Sequence, residues 1–315
     1  MKGYIEILPE QNEIVGYNPV HRIYQGWGQY AGYNGYFVIR FNKPFEAFGV
    51  SEGDDRRPDK TSAKGDNNQV DSYVKIICKA NEPVIAKTAT SFTSIENARE
   101  NLDKEIGEQS FETVRNETRQ KWNRALGNIT VKGDSENDKT IFYTGLYHAM
   151  ILPRVYSDVD GSYPGFADDN QIHKAENFTY YGDFSLWDTY RALHPLYTII
   201  APDRTNDMIR SLIAKAQQGN WLPIFPSWNS YTSAMIGDHA ISMIGDAWLK
   251  GIDDFNIDTA YHYMRKNAFY QPESSESYKD GKGRRALDSY LKHGYIPLED
   301  SVKQAFHQKE QVSRT

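Results

Sequence analysis

The sequence contains almost no cysteine. Cys78 is the single one among 315 residues, which excludes a disulfide within the chain. It stands in the alternating apolar run Val74, Ile76, Cys78, and a thiol in such a run is typical of a small buried side chain on a strand. We therefore predict that Cys78 is buried.

Long apolar runs and basic patches are also missing. No stretch is apolar for long enough to span a bilayer, and the first residues, MKGYIEI, lack the apolar core of a signal peptide. The formal net charge is −6, and the only basic cluster contains Lys282, Arg284 and Arg285. The sequence therefore predicts no membrane span, no export signal within the chain and no nucleic-acid partner.

Several catalytic motifs are absent as well. The sequence has no C-x-x-C, H-E-x-x-H or G-x-S-x-G, which excludes the common zinc motifs and the nucleophile turn of α/β-hydrolases. A D-x-D-G run beginning at Asp158 resembles part of a calcium loop, but the later ligands are missing and the glycine falls at the wrong step. We predict a turn there.

The first third of the chain alternates between apolar and polar residues. This pattern predicts strands at 36–41, 73–78 and 83–87, separated by glycine, asparagine and aspartate. Closely spaced strands of this kind are typical of an antiparallel sandwich. The charged, glycine-rich segment 49–68 is predicted to be a loop.

Helical periodicity takes over after residue 93. Segments 94–102 and 111–126 are polar on one side, as in a helical linker, and 129–131 is predicted to be a short strand. From residue 138 onward the apolar stripes are helical, and we predict no strand between them. Serial antiparallel helix pairs favour an α/α toroid or solenoid.

One stretch, 180–195, combines aromatic and charged residues at a predicted helix start. Ser185 and Asp188 form an S-x-x-D capping box, and a continuous helix is predicted through Leu186, Tyr190, Leu193 and Tyr197. Asp188 is therefore either a cap or a ligand. In the second interpretation Trp187 offers a flat apolar face to a sugar ring while Asp188 and Arg191 bind its hydroxyls.

A second polar and aromatic segment is the long loop at 222–239. It exposes Trp228 and Asn229 ahead of a predicted helix, and long loops within helical domains are commonly functional. Asp238 and His239 fall in the first turn of that helix, where a carboxylate favours the helix dipole.

Five segments together resemble a known family. They are SFTSIENA at 91–98, FYTGLYH at 142–148, FSLWDTYRALHP at 184–195, WNSYTSAMIGDH at 228–239 and GYIP at 294–297. In this order they are similar to glycoside hydrolase family 92, the calcium-dependent exo-acting α-mannosidases. The resemblance covers essentially the whole chain.

The resemblance implies an α+β multidomain fold, with a partial antiparallel β-sandwich followed by a partial (α/α)6 barrel. The expected divisions are the C-terminal part of the sandwich at 1–98, a helical linker at 99–137, and the first half of the barrel at 138–315. The sugar site is expected where the two domains meet.

The implied activity is hydrolysis, with inversion, of terminal α-mannosides of N-glycans or mannan. A glutamic acid would donate the proton, an aspartate would activate water, and Ca²⁺ would help distort the bound mannose. By motif, Trp187, Asp188, Trp228 and Asn229 would contact or line the mannose pocket. The full-length enzyme is expected in the periplasm, at the cell surface or secreted.

The resemblance also implies that the chain is a fragment. In the family, the acid-bearing Leu-Glu-Tyr-Ala segment follows a motif that this sequence reaches at 312–315, and the calcium and base motifs lie further on. Catalytic residues and calcium ligands are therefore expected beyond Thr315, and the chain alone is expected to be inactive. The alternative is a non-catalytic carbohydrate-binding or structural protein of the same architecture. Another helical-toroid glycosidase or lyase would require the matching motifs to be coincidental.

Overall fold

The structure, a computed structural model, describes residues 2–22, 30–66, 69–274, 277 and 281–300. Its first part is an antiparallel sheet domain. The strands in chain order are β1 (Gly3–Leu8), β2 (Glu13–His21), β3 (Tyr30–Phe41), β4 (Ala47–Glu52), β5 (Asp55–Pro58), β6 (Ser62–Gly65), β7 (Val70–Lys75) and β8 (Ala86–Ser91). They form a five-stranded sheet, β6-β1-β2-β3-β8, and a three-stranded sheet, β5-β4-β7.

The two sheets face each other across an apolar core, as their alternating sequences predict. Ile7 and Ile14 of the larger sheet and Val50 of the smaller sheet are buried in one cluster. The opposite face of the larger sheet is covered by the first helix, where Leu102 packs with Val38.

Three expectations for this domain are wrong. Segment 49–68 is not a loop, because it contains the end of β4 and all of β5 and β6. β5 and β6 lie at the edges of their sheets, where polar side chains are common and no apolar alternation is required. Cys78 is exposed, since β7 ends at Lys75 before reaching it. The third predicted strand, 83–87, overlaps β8 only at its last two residues, 86 and 87.

The second part is helical. Its elements are α1 (Ile95–Glu105), α2 (Phe111–Leu126), α3 (Glu136–Ala149), β9 (Ser162–Pro164), β10 (Ile172–Lys174), α4 (Leu186–Thr189), α5 (Leu193–Ile200), α6 (Pro202–Gly219), α7 (Ala240–Leu249), α8 (Ile257–Phe269) and α9 (Leu287–His293). The first three helices begin alike, because Ser94, Ser110 and Ser135 each accept a hydrogen bond from a backbone N–H three residues later.

The helical core is built from the predicted apolar stripes. Leu212 of α6 and Ala247 of α7 are fully buried in one cluster, which also includes Tyr197 of α5 and Ala260 of α8. Within the described ranges, no helix is both long and apolar enough to cross a bilayer. The molecule is therefore an α+β protein, with an antiparallel sheet domain followed by a helical domain.

The helical part also departs from expectation. The predicted strand at 129–131 is absent, whereas β9 and β10 form a short hairpin where no strand was predicted. These two strands are only three residues long, too short for a pattern of period two to be recognised. The turn at Asp158 is confirmed, with Gly161 at φ +88°. The predicted apolar stripe beginning at Leu298 continues into 301–315, outside the described residues.

Candidate functional site

Two segments of the helical domain run side by side and bring Asp183 next to Arg154. The backbone N–H of Tyr156 donates to the Tyr180 carbonyl at 2.8 Å, and the N–H of Gly182 donates to the Arg154 carbonyl at 2.9 Å. The next residue, Asp183, then accepts a hydrogen bond from Arg154 Nε at 2.9 Å. The Asp183 side chain is 18% exposed and that of Arg154 is 59% exposed, so the pair lies at the surface with its carboxylate turned inward.

The same carboxylate positions Trp228. The Trp228 backbone N–H donates to Asp183 Oδ1 at 2.8 Å, and Trp228 adopts a left-handed conformation with φ +54°. Its ring centroid lies 6.4 Å from that of Phe92, the residue that follows β8. Asp183 thus holds together an arginine of one loop and a tryptophan of another, and the sheet domain supplies an aromatic contact.

Asn229 is buried and holds the loop against the sheet domain. It is 2% exposed, and its Nδ2 donates to the Ala31 carbonyl of β3 at 2.7 Å. Its own carbonyl accepts the N–H of Ala167 at 2.6 Å. The side chain therefore fixes the base of the 222–239 loop in this structure.

Trp187 lies in a stack of rings and a guanidinium group. Arg191 covers one face of the Trp187 ring, 4.4 Å above its centroid, and donates from Nη1 to the Trp187 carbonyl at 2.9 Å. Tyr190 stacks on His239 at 3.9 Å with an interplanar angle of 1°, and the His239 and Trp187 centroids are 5.5 Å apart. The start of the 184–195 motif and the end of the 222–239 loop therefore meet at His239.

The predicted capping box is wrong in detail. Ser185 occupies the N-cap position of α4, but its hydroxyl accepts no backbone N–H and instead donates to the Asp188 carboxylate. The predicted continuous helix is also interrupted between Thr189 and Leu193, because the ring of Pro195 conflicts with a helical carbonyl four residues earlier, at Arg191. Asp188 is consequently left exposed at a one-turn helix.

The rings of Trp187, Tyr190 and His239, with Arg191 and the exposed Asp188, form what we call the wall. The pKa values of His239 and of the buried Lys215 are both shifted. Burial lowers the pKa of His239, assisted by the Arg191 charge and opposed by Asp238, so the ring is neutral at neutral pH. Burial also holds the pKa of Lys215 well below its ordinary value. Lys215 Nζ donates to the Tyr181 carbonyl at 2.6 Å and lies 3.8 Å from the Tyr180 ring centroid. It thus supports the segment that leads to Asp183.

The structure therefore unites some of the expected residues and adds others. Trp187 and Asp188 lie at one end of the loop cluster, and Trp228 and Asn229 lie at the other; the Phe184 N–H, donating to the Pro226 carbonyl at 3.1 Å, links the two segments. The roles of Asp183, Arg154, Tyr190 and Lys215 were missed by the sequence analysis. Asp183 lies within the 180–195 stretch and Arg154 lies four residues before Asp158, but nothing in their spacing predicts that they pair.

A wall of this composition suits a carbohydrate. Aromatic faces pack on the apolar face of a sugar, while exposed carboxylate and guanidinium groups bind hydroxyls at its edge. The fold and these contacts together define a two-domain protein in which the loop carrying Trp228 and Asn229 packs against the sheet domain.

Comparison with known proteins gives the family. Residues 1–91 match the glycosyl hydrolase family 92 N-terminal domain, and residues 97–315 match the family 92 catalytic domain. The chain belongs to glycoside hydrolase family 92. No curated protein matches the sequence significantly.

Solved structures of the same family share the fold. A family 92 inverting mannosidase from Bacteroides thetaiotaomicron VPI-5482 is 26% identical with a TM-score of 0.83, over 94% of this chain and 39% of its own. A family 92 α-mannosidase from Bacteroides thetaiotaomicron is 30% identical with a TM-score of 0.81, over 95% of this chain and 39% of its own. The latter enzyme has also been solved in complex with mannoimidazole, and there the match covers 38% of its chain. The chain thus spans about 39% of the length of these mannosidases.

The donor groups of the described residues do not fit the calcium ion that the family resemblance implies. Across the described part of the chain, no three histidine, cysteine, aspartate or glutamate side chains converge on one point. Calcium is held by several oxygen ligands, carboxylates prominent among them. We therefore assign no catalytic step to a metal.

Proposed function

We propose that this chain supplies the C-terminal part of the sheet domain and the first half of the helical domain of an exo-acting, inverting α-mannosidase acting on terminal α-mannosides of N-glycans or mannan. The observation that carries the proposal is the wall of Trp187, His239 and Tyr190 beside the exposed carboxylate of Asp188. The mannosidases of similar structure support it. We further propose the divisions 1–98, 99–137 and 138–315, and export of the full-length enzyme to the periplasm, the cell surface or the medium.

Within this site each residue has a distinct proposed role. Trp187 packs on the mannose ring through the part of its surface that Arg191 leaves open, and Asp188 accepts hydrogen bonds from sugar hydroxyls. Trp228 lines the same pocket, held by Asp183. Asn229 contributes by positioning Trp228 through its bond to Ala31.

We also propose that the chain alone does not hydrolyse mannosides. Inverting hydrolysis requires one carboxylic acid to protonate the leaving group and one carboxylate to activate water. The three carboxylates at this wall already have partners: Asp183 has Arg154, Asp188 has Ser185, and Asp238 has Arg284. We infer that the acid, the base and the calcium ligands of the full-length enzyme belong to other segments.

Binding and turnover test the two halves of the proposal separately. We expect saturable binding of methyl α-mannoside to the chain by ligand-observed NMR. Trp187→Ala should weaken it about fivefold, since aromatic packing contributes on the order of 1 kcal/mol. Asp188→Ala should also weaken it, whereas Trp248→Ala, on the half-exposed surface of α7, should not.

An aryl α-mannoside, assayed with and without calcium, should give no turnover. Calcium-dependent hydrolysis by the chain would refute the claim of inactivity. Binding unaffected by Trp187→Ala and Asp188→Ala would refute the assigned site. The aromatic wall is also compatible with the alternative, a non-catalytic carbohydrate-binding protein. Mannoside binding would favour that alternative if the gene of this chain is shown to encode no further catalytic segment.

A further inference from the structure

A cavity of about 360 Å³ lies between the end of the 222–239 loop and the segment around α9. Its walls are mostly apolar, with Ile224, Ile236 and Ile296 among the lining residues. The charged side chains that line it are Asp238, Arg284 and Arg285. The cavity has the size of a small-ligand site, at the lower end of the usual range.

The three charges are not equivalent. Arg284 Nε donates to Asp238 Oδ2 at 2.7 Å, and the Asp238 side chain is only 17% exposed, so these two groups neutralise each other. Among the described residues, no carboxylate pairs with Arg285 in this way. Its Nε and Nη2 are both buried, and neither meets a hydrogen-bond acceptor. The lining therefore carries one uncompensated positive charge.

Leaving those two donors unsatisfied is unfavourable. A buried N–H without an acceptor loses its hydrogen bonds to water and gains none in return, a loss that is larger for a charged group, and native proteins rarely leave such groups unpaired. Burial also lowers the pKa of Arg285, which reflects the cost of its charge in this position. An acceptor at this point would remove both penalties.

The identity of the two free atoms indicates the acceptor. Nε and Nη2 lie on the same edge of the guanidinium plane, and this edge forms two parallel hydrogen bonds with a carboxylate. We propose that this cavity is a carboxylate-binding site, in which the acid group bonds to Nε and Nη2 of Arg285 and an apolar body packs on Ile224, Ile236 and Ile296. The cavity adjoins the proposed mannose wall, since Asp238 borders both, but the proposal does not depend on sugar binding at that wall.

The carboxylate has two conceivable sources with the same chemistry. One is a small organic acid with an apolar body, which the isoleucine lining favours. The other is the acidic side chain of another polypeptide segment. Both require Arg285, but only the first benefits fully from the apolar walls.

The test uses benzoate as probe and benzamide as its uncharged counterpart, titrated into the full chain by calorimetry. We expect benzoate to bind at least about tenfold more tightly than benzamide, because only benzoate makes the charge-assisted pair. Arg285→Met should abolish that preference. Arg115→Met, which removes an exposed arginine on α2, is the matched control and should leave the preference unchanged.

The second variant guards against misfolding. If Arg285→Met loses its circular dichroism signal, Arg285→Lys replaces it in the test. Lysine keeps the charge but lacks the two-donor edge, so this variant should bind benzoate more weakly than the unmodified chain and benzamide equally well. The blocked peptide Ac-Ala-Glu-Ala-NH2 separates the sources: binding as tight as that of benzoate indicates a side-chain carboxylate, and weaker binding indicates a free acid. Absence of saturable benzoate binding, equal binding of benzoate and benzamide, or undiminished binding by both Arg285 variants would overturn the proposal.

Discussion

Replacing Asp158 should weaken the contact between the sheet domain and the helical domain. Asp158 is 9% exposed, and its carboxylate accepts hydrogen bonds from Ser91 Oγ at 2.8 Å, Asn101 Nδ2 at 2.7 Å and Asn97 Nδ2 at 3.2 Å. The Thr93 hydroxyl donates to it as well. Ser91 ends β8, and the asparagines lie on α1, the helix that packs on the larger sheet, so one carboxylate accepts hydrogen bonds from a strand and from the helix that covers it.

The expected magnitude follows from the two fully buried bonds, those from Ser91 and Asn101. A hydrogen bond to a charged group contributes about 1.5–3 kcal/mol, and donors that are left buried without an acceptor add to the loss. Water entering the vacated space restores part of it. We therefore expect Asp158→Ala to lower the free energy of unfolding by about 3–4 kcal/mol, which is large for a single substitution.

Urea denaturation followed by circular dichroism measures this loss. The matched control is Asp168→Ala, because Asp168 also bridges the domains, to Arg22 at 3.4 Å, but is 87% exposed. An exposed ion pair contributes about 0–1 kcal/mol, so this control should change little. Equal losses in the two variants, or a loss below about 1 kcal/mol for Asp158→Ala, would refute the argument from burial.

Three other perturbations have predictable outcomes. Burial lowers the pKa of His194 from 6.5 to about 4, so between these pH values the unfolded state binds more protons than the folded state. The free energy of unfolding should therefore be unaffected by His194 above pH 6.5 and should fall by up to about 3 kcal/mol as the pH drops to 4. His194→Gln should remove this loss. Lys215 is fully buried with a depressed pKa, and among the described residues no carboxylate forms an ion pair with it, so Lys215→Met should raise the midpoint of urea denaturation at neutral pH. Leu249 and Ile199 are 79% and 77% exposed, so the chain should enhance the fluorescence of a hydrophobic dye, and Leu249→Lys should reduce the enhancement.

Each of these has an outcome that contradicts it. Acid sensitivity identical in the unmodified chain and in His194→Gln would show that His194 titrates normally. A destabilising Lys215→Met would mean that the lysine charge is compensated, most simply by Asp183, the charge that opposes its pKa shift. Dye fluorescence at the level of a well-packed globular control would show that the exposed leucine and isoleucine are covered in solution.

Periodicity predicted the helices better than the strands. The helix predicted at 111–126 has the bounds of α2, because its polar side and serine cap are both local signals. β5 and β6 were missed since an edge strand is held by backbone hydrogen bonds to one neighbour and needs no apolar alternation. Cys78 was wrongly predicted to be buried on a strand, because the alternating apolar pattern continues beyond Lys75, the last residue of β7 that pairs with β4.

The candidate site shows a similar division. Sequence located the two segments that contain Trp187 and Trp228, because aromatic and polar residues cluster there. It did not predict that Asp183 joins Arg154 to Trp228, since that pairing depends on an antiparallel bridge between Val155 and Tyr181. That Asn229 lines the mannose pocket stays a prediction; its amide reaches Ala31, 198 residues away, a contact that no local pattern encodes.

These contacts make the geometry of the site depend on the contact between the domains. Ser91 binds Asp158, and the next residue, Phe92, contacts Trp228, whose neighbour Asn229 is tied to the sheet through Ala31. Trp228 is thus held from the sheet domain on two sides, whereas Trp187 is held within the helical domain by Arg191 and His239. Loosening the domain contact should therefore displace Trp228 before it affects Trp187. The sheet domain, although it carries none of the proposed sugar contacts, is for this reason a structural part of the site.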